Sequence, residues 1–410
     1  MATQIFTNIS LLANTRTDSG FIRGNDLSVL PSIKKAFIII EDDMIAEIGK
    51  MEELRFSKEN IELESGTIVL PCWCDSHTHI VFAGSREEEF IDKIKGLTYA
   101  EIAAKGGGIL NSAKTLNETS EDELFNTAWK RLQEISKLGT GAVEIKSGYG
   151  LTLDGELKML RVIKKLKERS SLKIKATFLA AHTFPSEFKE NHKGYIDCII
   201  NEMLPVIAKE KLADYIDVFC EEGFFSVEEM KIICEAAKTY GLKSKLHVNQ
   251  LNSIGGIEAG ISLNSLSLDH LETLTPNEIK LLGTFNGAST LLPTAAFFLG
   301  MPLQPARRLI NAGAAITLAS DYNPGSSPSG NMNFVVSLSC IQMKMLPEEA
   351  INAATYNGAC AMGIEKDYGS IYPGKKANLI FTQPVPSLSY IPYSFGNNLI
   401  DKVIINGTFI

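Results

Sequence analysis

The chain of 410 residues is predicted to be an α/β protein, with a (β/α)8 TIM-like barrel and a small β-sandwich-like domain formed by both termini. In the middle of the chain, strand-like and helix-like segments alternate eight times, whereas both ends are strand-like. We expect residues 1–65 and 366–410 to form the small domain, and residues 66–365 to form the barrel. A doubly wound open sheet would give the same alternation, and it remains an alternative architecture at this point.

The two ends consist of short apolar runs separated by residues that favour turns. Gly24-Asn25-Asp26 and Glu41-Asp42-Asp43 interrupt the N-terminal runs, and Asn406-Gly407 follows the last C-terminal run. Because strand-rich ends enclose a helix-rich middle, we expect the termini to meet in one small sheet. The predicted strands of this sheet are residues 5–6, 36–40, 44–48, 377–381 and 402–405.

The middle of the chain contains eight predicted parallel strands with helical patterns between them. Two helix starts are clear, because Ser120-Glu121-Asp122-Glu123 and Ser226-Val227-Glu228-Glu229 both have the capping-box pattern. The first loop, residues 80–138, is long, and its glycine triplet at 106–108 lacks the spacing of a nucleotide-binding loop. The predicted strands are residues 67–77, 142–146, 174–182, 215–221, 244–250, 265–271, 289–293 and 316–321.

Composition narrows the class of protein. Hydrophobic content of 45%, charged content of 21% and a net charge of −8 are typical of a soluble protein, and they predict no nucleic-acid partner. One uncharged span, residues 281–306, contains three prolines, and the N-terminus lacks a signal-peptide pattern, so we expect no membrane span and a cytoplasmic location. Seven cysteines without a C-x-x-C pair predict reduced thiols.

The histidines carry the strongest functional signal. His77 and His79 lie two residues apart at the end of a predicted strand, so they project to one side and can share a metal ion. A single histidine is usually a core residue, and two can be hydrogen-bonded in a turn. However, five of the six lie at or near C-terminal strand ends, where barrel active sites are found, and Asp321 ends the eighth strand. These five are His77, His79, His182, His247 and His270.

The motif Asp75-Ser76-His77-Thr78-His79, with His247 on the fifth strand, His270 on the sixth and Asp321 on the eighth, resembles the amidohydrolase superfamily. Within that superfamily the chain is most similar to the imidazolonepropionase family. The resemblance extends from about the first barrel strand to the C-terminus. The closer similarity to the imidazolonepropionase family rests on residues 77–90, 106–110, 146–150 and 320–326.

This resemblance implies a metal-dependent hydrolase. One Zn²⁺ or Fe²⁺/Fe³⁺ ion would be held by His77, His79, His247 and Asp321, with room for a water molecule whose pKa the ion lowers. The implied substrate is a small molecule, 4-imidazolone-5-propanoate. Water would attack the ring carbonyl, the ring C–N bond would open, and N-formimidoyl-glutamate would leave, a step of histidine degradation. The resemblance also implies a homodimer.

Three residues receive catalytic roles from the resemblance. His270 would orient or deprotonate the attacking water. Asp321 could also accept that proton, although an aspartate before Asn323-Pro324 can instead cap a helix. His182 would hydrogen-bond to the substrate and polarise its carbonyl, as a donor in an oxyanion hole does.

Other residues would bind the substrate. Arg86 suits the propanoate because a guanidinium group binds a carboxylate through two parallel hydrogen bonds, although a surface ion pair within residues 86–89 is the alternative. Tyr149, flanked by glycines, would hydrogen-bond to the ligand or pack as an ordinary aromatic residue. The pocket lining, and the groups that meet the product's carboxylate, would come from Asn323, Gly325 and Ser326.

Two further positions limit the chemistry. Gln250 lies three residues after His247, where family members can carry a glutamate. A neutral amide can hydrogen-bond to the substrate ring but cannot act as a base, so that duty falls on His270 or Asp321. The fourth strand ends in Cys220-Glu221-Glu222 without a lysine that could bridge two metals, so we expect one metal ion.

Two other hypotheses remain at the level of sequence. One is another mononuclear amidohydrolase or deaminase that acts on a heterocyclic amide or amidine, and this enzyme would not need a carboxylate anchor at Arg86. The other is an inactive barrel that serves as a scaffold, which would be expected to lose metal ligands.

Overall fold

The computed structural model describes residues 3–410 except residues 18, 56–59, 98–100 and 102–106, so Gly106 of the glycine triplet lies outside the described residues. The described strands form two eight-stranded sheets. The first five strands are β1 Thr3–Ala13, β2 Ser32–Glu41, β3 Met44–Lys50, β4 Ile61–Glu62 and β5 Ile68–Pro71. The next eight are β6 Trp73–Thr78, β7 Thr140–Lys146, β8 Lys173–Ala181, β9 Tyr215–Cys220, β10 Lys243–Val248, β11 Ser267–His270, β12 Ala288–Leu291 and β13 Ile316–Leu318. The last three are β14 Leu379–Thr382, β15 Ile400–Ile405 and β16 Thr408–Phe409.

Both ends of the chain build the first sheet. Its strand order is β16-β15-β14-β5-β1-β2-β3, and β4 pairs with β1. The Phe6 ring of β1 lies 4.9 Å from the Phe381 ring of β14, although β5 runs between these strands. Both rings belong to one buried apolar cluster on this sheet, which forms the core of the small domain. The predicted sandwich-like domain formed by both termini is confirmed.

The second sheet is the barrel. Strands β6 to β13 are parallel and follow one another in chain order. The chain just after β13 closes the ring on β6: the Asp321 N–H donates to the His77 carbonyl at 3.0 Å, and the His79 N–H donates to the Tyr322 carbonyl at 2.9 Å. The predicted eight-stranded barrel is confirmed, and the open doubly wound sheet is excluded.

Helices surround the barrel and fill its long first loop. The first four are α1 Glu87–Ile94, α2 Ile109–Glu118, α3 Glu121–Lys137 and α4 Leu153–Arg169. The next four are α5 His192–Cys198, α6 Leu204–Glu210, α7 Val227–Lys238 and α8 Gly256–Ser262. The others in the described part of the chain are α9 Pro276–Leu282, α10 Pro293–Leu299, α11 Ala306–Asn311, α12 Met332–Met343, α13 Pro347–Ala354, α14 Tyr356–Ala361 and α15 Tyr390–Tyr393.

The two predicted helix starts lie where the sequence places them. Ser120 caps α3 by accepting a hydrogen bond from the Glu123 N–H. Ser226 caps α7, and there the Glu229 carboxylate also accepts from the Ser226 N–H, which completes the capping box. One side of α3 is buried, as its helical pattern predicts, through Leu124, Ala128, Leu132 and Ile135.

One predicted strand divides into two. The sequence predicts a single strand over residues 67–77, but β5 belongs to the small sheet and β6 to the barrel. The backbone changes its hydrogen-bond partner from one sheet to the other between two successive residues. The Cys72 N–H donates to the Asn378 carbonyl of the small domain, and the Trp73 N–H donates to the Gly139 carbonyl beside the barrel. Because both halves are buried, hydrophobicity does not reveal the division. The chain thus passes from the small sheet to the barrel at Cys72, later than the predicted boundary at residue 65, and the boundary at residue 365 stays a prediction.

Within the described ranges, none of the helices is long and apolar enough to cross a membrane. All seven cysteines are free thiols. Cys72 and Cys74 lie in apolar surroundings on the side of the strand away from the histidines, as strand alternation predicts.

Closure of the barrel gives a prediction about stability. The buried Asp75 carboxylate of β6 accepts from the Ser320 N–H at 3.0 Å and from the Ser320 hydroxyl at 2.5 Å. Asp75→Ala leaves two buried donors without partners, so we expect it to lower the free energy of unfolding by about 3 kcal/mol in urea denaturation. Asp75→Asn is the matched control, because an amide can bond to both Ser320 groups. Equal stability of wild type and Asp75→Ala would contradict this role in closure.

Candidate metal centre and active site

The imidazole rings of five histidines meet at the C-terminal end of the barrel. Neighbouring rings lie 4.4–5.9 Å apart between centroids, and all five residues are buried. They are the five that the sequence analysis places at strand ends: His77, His79, His182, His247 and His270. His192 lies elsewhere, as expected, exposed at the start of α5, where its Nδ1 bonds to Glu229 at 2.9 Å.

Two carboxylates determine which nitrogen of His77 and His247 carries the proton. His77 Nδ1 lies 2.7 Å from Asp269 Oδ2, and His247 Nδ1 lies 2.8 Å from Asp217 Oδ2. Burial holds the pKa of both imidazoles well below its usual value, so the rings are neutral. Since a carboxylate accepts, each Nδ1 carries the hydrogen and each Nε2 carries a lone pair.

This arrangement fits a metal ion. His77 Nε2 and His247 Nε2 are 3.1 Å apart, and two lone pairs face each other there with no hydrogen between them. Two nitrogens bound to one zinc ion at about 2.0–2.1 Å would lie roughly 3.3 Å apart at a tetrahedral angle. The ligand nitrogens of His77, His79 and His247 all lie within 4.8 Å of one another. The three residues therefore form a preformed metal-binding group.

Asp321 lies at the edge of this group. Its Oδ1 is 3.6 Å from His77 Nε2 and 3.7 Å from His79 Nε2. The Ser326 hydroxyl donates to the other oxygen at 3.1 Å. Asp321 adopts φ +52°, a left-handed conformation that aspartate tolerates, and burial raises the pKa of its carboxyl group to about 6. The position suits a fourth ligand, which stays a prediction.

A buried ionic network supports the histidines from within the barrel. Lys146 Nζ is 2.7 Å from Glu144, 2.9 Å from Asp217 and 3.7 Å from Asp269. Lys245 Nζ is 3.0 Å from the other Glu144 oxygen. These side chains are fully buried, where unpaired charges would be costly. Burial raises the pKa of Asp217 although Lys146 opposes this effect, whereas the charges of Lys245 and Lys146 overcome burial at Asp269 and hold its pKa below the usual value. Both carboxylates lie where they can accept from the imidazole N–H groups.

The hydrogen bond of His182 differs from the donor arrangement expected from sequence, while its contact with a substrate stays a prediction. Its Nδ1 lies 3.0 Å from the Gly148 carbonyl, and a carbonyl can only accept, so Nδ1 carries the hydrogen. Burial lowers the pKa of His182 to about 4, so the ring is neutral and Nε2 is an acceptor. A neutral ring in this tautomer accepts a hydrogen bond from a ligand N–H and does not donate one to a carbonyl.

His270 is the most basic imidazole of the cluster. Burial alone would lower its pKa, but the charge of Glu272, whose Oε1 lies 3.3 Å from Nδ1, raises the pKa above the usual value. The Gln304 side-chain amide donates to the same Glu272 oxygen at 2.8 Å. His270 and Leu271 adopt φ +87° and +66°. Left-handed conformations of this kind cost about 1–3 kcal/mol each and cluster at functional sites.

Arg86 forms a buried ion pair beside the cluster. The residue caps α1, its side chain is only 9% exposed, and Nη2 lies 2.6 Å from Glu89 Oε2. The Gly108 N–H donates to the other Glu89 oxygen at 2.9 Å. The guanidinium group packs on Gly325, where a Cβ atom would lie 2.1 Å from Nη1. Lys93 adds a second cation by donating to the Gly325 carbonyl at 3.1 Å.

Two predicted substrate-binding residues lie on different loops. The buried Tyr149 ring is 5.8 Å from the His79 ring and 5.5 Å from the His182 ring, so it lies against the histidine cluster. Gln250 is half-buried just beyond β10. Contact of either side chain with a substrate stays a prediction.

The loop after β13 is held by hydrogen bonds between its own residues. The Asn323 side-chain carbonyl accepts from the N–H groups of Gly325 and Ser326, at 2.8 Å each. The Asn323 amide nitrogen donates to the Ser326 hydroxyl at 2.7 Å. These bonds hold the loop that carries Asp321, so the donors would have to exchange partners to bind a product carboxylate. That contact also stays a prediction.

Sequence reasoning missed the supporting carboxylates. Asp217, Asp269 and Glu272 have no motif of their own, and their roles depend on neighbours far away in the chain. A signal was nevertheless present, because Glu144 and Lys146 are charged residues two apart on a strand that is otherwise apolar. Alternating charges on a buried strand indicate polar groups inside the barrel.

Comparisons with known proteins agree with this geometry. The sequence model described as "Amidohydrolase family" matches residues 68–410. A protein of Flavobacterium johnsoniae named imidazolonepropionase is 58% identical over 411 residues, with 100% of both chains covered. The chain belongs to the imidazolonepropionases of the amidohydrolase family. Proteins of the same name from Christiangramia forsetii and Thermoanaerobacter pseudethanolicus are 53% and 42% identical, with 100% and 93% of this chain and 100% and 91% of theirs covered.

Solved structures with the same fold are more distant in sequence. A guanine deaminase from C. acetobutylicum with bound guanine has a TM-score of 0.72 at 19% identity, with 100% of both chains covered. The zinc complex of atrazine chlorohydrolase TrzN from Arthrobacter aurescens TC1 has a TM-score of 0.71 at 14% identity, covering 99% of this chain and 94% of that one. At these identities the comparison shows a shared fold and no more.

The orientation of the ligands gives a prediction about metal affinity. Asp269→Ala removes the acceptor of the His77 Nδ1–H group, so we expect a 10- to 100-fold weaker affinity, on the order typical of such supporting groups, in competition with a chromophoric chelator. Asp214→Ala is the matched control, because Asp214 pairs with Lys167 and Lys175 outside the cluster. An unchanged affinity in folded Asp269→Ala protein would contradict the orienting role.

Proposed function

We infer that the protein hydrolyses the ring C–N bond of 4-imidazolone-5-propanoate to give N-formimidoyl-L-glutamate, a step of histidine degradation. The observation that carries this function is the 58% identity to an imidazolonepropionase over the full length of both chains. The buried histidine cluster supplies the chemistry that the reaction needs, since it combines a metal-binding group with a basic imidazole.

We propose one metal ion for each chain, Zn²⁺ or Fe²⁺/Fe³⁺, held by His77, His79, His247 and Asp321. When bound, such an ion lowers the pKa of a water molecule toward neutrality and polarises a carbonyl group. The ligand types suit either metal. The lone pairs on His77 Nε2 and His247 Nε2, 3.1 Å apart, support the site, and the short distances from Asp321 to His77 and His79 support the fourth ligand.

His270 is proposed to take the proton from the attacking water. Its Nδ1 hydrogen points to Glu272, so the neutral ring has its lone pair on Nε2. The raised pKa makes that nitrogen the strongest base among the imidazoles. Gln250 cannot share this duty, and Asp321 is the second candidate for it.

His182 and Arg86 are proposed to orient the substrate. His182 Nε2 accepts a hydrogen bond from an N–H group of the imidazolone ring, because its Nδ1 hydrogen is already donated to Gly148. Arg86 binds the propanoate carboxylate. Lys93, which donates to the Gly325 carbonyl, places a second cation beside Arg86, and cationic groups there favour an anionic substrate.

Several finer expectations belong to the same proposal. Tyr149, Gln250, Asn323, Gly325 and Ser326 are proposed to line the substrate pocket. The homodimer, the cytoplasmic location and the absence of nucleic-acid and membrane partners stay predictions from sequence. A deaminase of heterocycles is the alternative function, but it has no need for the cationic pair of Arg86 and Lys93.

The function is tested by supplying the substrate to metal-loaded protein. Zinc- or iron-loaded enzyme is expected to consume 4-imidazolone-5-propanoate, followed as a loss of ultraviolet absorbance, with N-formimidoyl-glutamate as the product. Removal of the metal with a chelator should abolish turnover, and added metal should restore it. Guanine is the control substrate. Release of ammonia from guanine without consumption of the imidazolone would support the deaminase instead.

Arg86 gives a prediction about affinity. Because a charged hydrogen bond to the propanoate is lost, Arg86→Ala should raise KM about 100-fold while metal content remains that of the wild type. Arg161→Ala is the matched control, since Arg161 pairs with Glu210 through two hydrogen bonds on the surface. Unchanged KM in Arg86→Ala would rule out this carboxylate anchor.

A further inference from the structure

One buried carboxylate outside the histidine cluster binds an unusual number of donors. Glu156 lies in the first turn of α4 and is fully buried. Its Oε1 accepts from the N–H groups of Gly150 at 2.8 Å and Leu151 at 2.9 Å, and its Oε2 accepts from the Gly148 N–H at 3.2 Å. The Ser147 hydroxyl group also hydrogen-bonds to this carboxylate. Four donors from residues 147–151, in the loop after β7, thus converge on one side chain.

The same loop adopts conformations that need support. Gly148 has φ +111° and Leu151 has φ +56°, and the second is uncommon for a residue with a side chain. Gly150 packs directly on the first turn of α4, because a Cβ atom there would lie 2.3 Å from the Glu156 nitrogen. The loop therefore depends on the helix that it contacts, and Glu156 is the polar link between the two.

This loop leads directly to the substrate side of the site. The Gly148 carbonyl accepts from His182 Nδ1 at 3.0 Å, and a Cβ atom on Gly148 would lie only 2.9 Å from that nitrogen. Tyr149, the next residue, lies against the rings of His79 and His182. A shift of the Gly148 peptide would thus remove the acceptor that determines which His182 nitrogen carries the hydrogen.

We infer that Glu156 is a positioning residue for His182: by binding the N–H groups of Gly148 and Gly150, it holds the backbone on both sides of the Gly148 carbonyl, which keeps the hydrogen on Nδ1 and leaves Nε2 as the acceptor for the substrate N–H. The role of Nε2 rests on the proposed function. The tautomer itself does not, and it can be measured without substrate.

Glutamine is the informative replacement at this position. Both carboxylate oxygens of Glu156 are acceptors, whereas glutamine offers one oxygen and an NH₂ group. In Glu156→Gln the NH₂ group has to face either the Gly148 N–H or the N–H groups of Gly150 and Leu151. Donor then meets donor, so the loop has to move although the side chain keeps its size.

The test uses zinc-loaded protein with ¹⁵N-labelled histidine. In the wild type, ring ¹⁵N shifts are expected to place the hydrogen of His182 on Nδ1, with the signal assigned by its loss in His182→Asn. In Glu156→Gln we expect exchange between tautomers, together with a fall in kcat/KM of about ten-fold or more and unchanged metal content. Glu349→Gln is the matched control, because Glu349 is a buried first-turn carboxylate that bonds to the Leu346 N–H and Arg307 away from the site.

Each outcome decides between the hypotheses. A wild-type His182 with its hydrogen on Nε2 overturns the inference, and this result needs no variant to fold. An unchanged tautomer and unchanged kcat/KM in Glu156→Gln also overturn it, as does an equal loss of kcat/KM in Glu349→Gln. If the wild type carries the Nδ1 hydrogen but does not consume 4-imidazolone-5-propanoate, the proposed function fails while the positioning of His182 stands.

Discussion

The active site depends on two hydrogen bonds between imidazole and carboxylate inside the barrel. His77 donates to Asp269 and His247 donates to Asp217, so both rings present Nε2 lone pairs to the same point. Without these bonds either ring could turn or change tautomer, and the affinity for a metal ion would fall, by roughly 10- to 100-fold for each lost acceptor. Lys146 makes the bonds possible, because it compensates two buried carboxylates at once.

The strands and the loops of the barrel carry different groups of the site. Side chains on the strands β6, β7, β9, β10 and β11 form the metal-binding group and the ionic network below it, where backbone hydrogen bonds allow little movement. The loops after the strands carry the groups proposed to meet the substrate. Two of these loops are each held by a carboxylate on a helix. Glu89 binds Arg86 and the Gly108 N–H, and Glu156 binds the N–H groups of Gly148 and Leu151.

The hydrogen-bonding role of the histidines follows from what each Nδ1 contacts. The four acceptors are oxygen atoms of three kinds of group: aspartate for His77 and His247, a backbone carbonyl for His182, and glutamate for His270. The charge of the acceptor affects the pKa of the imidazole. The glutamate raises the pKa of His270 despite burial, whereas the neutral carbonyl leaves the pKa of His182 lowered by burial. Rings of identical chemistry thereby differ in basicity.

The sequence by itself determined the barrel, the joining of both termini in one sheet, and the five histidines that cluster, because strand periodicity and strand-end position are local properties. Three matters were decided only by the tertiary structure. The division of residues 67–77 at Cys72 depends on which sheet supplies each hydrogen-bond partner. The tautomer of His182 depends on Gly148, and the tautomers of His77 and His247 depend on Asp269 and Asp217, which lie 192 and 30 residues away in the chain. Such partners are brought together only when the barrel closes. The sequence therefore indicates which imidazoles form the site, whereas the tertiary structure determines which nitrogen of each ring carries the hydrogen.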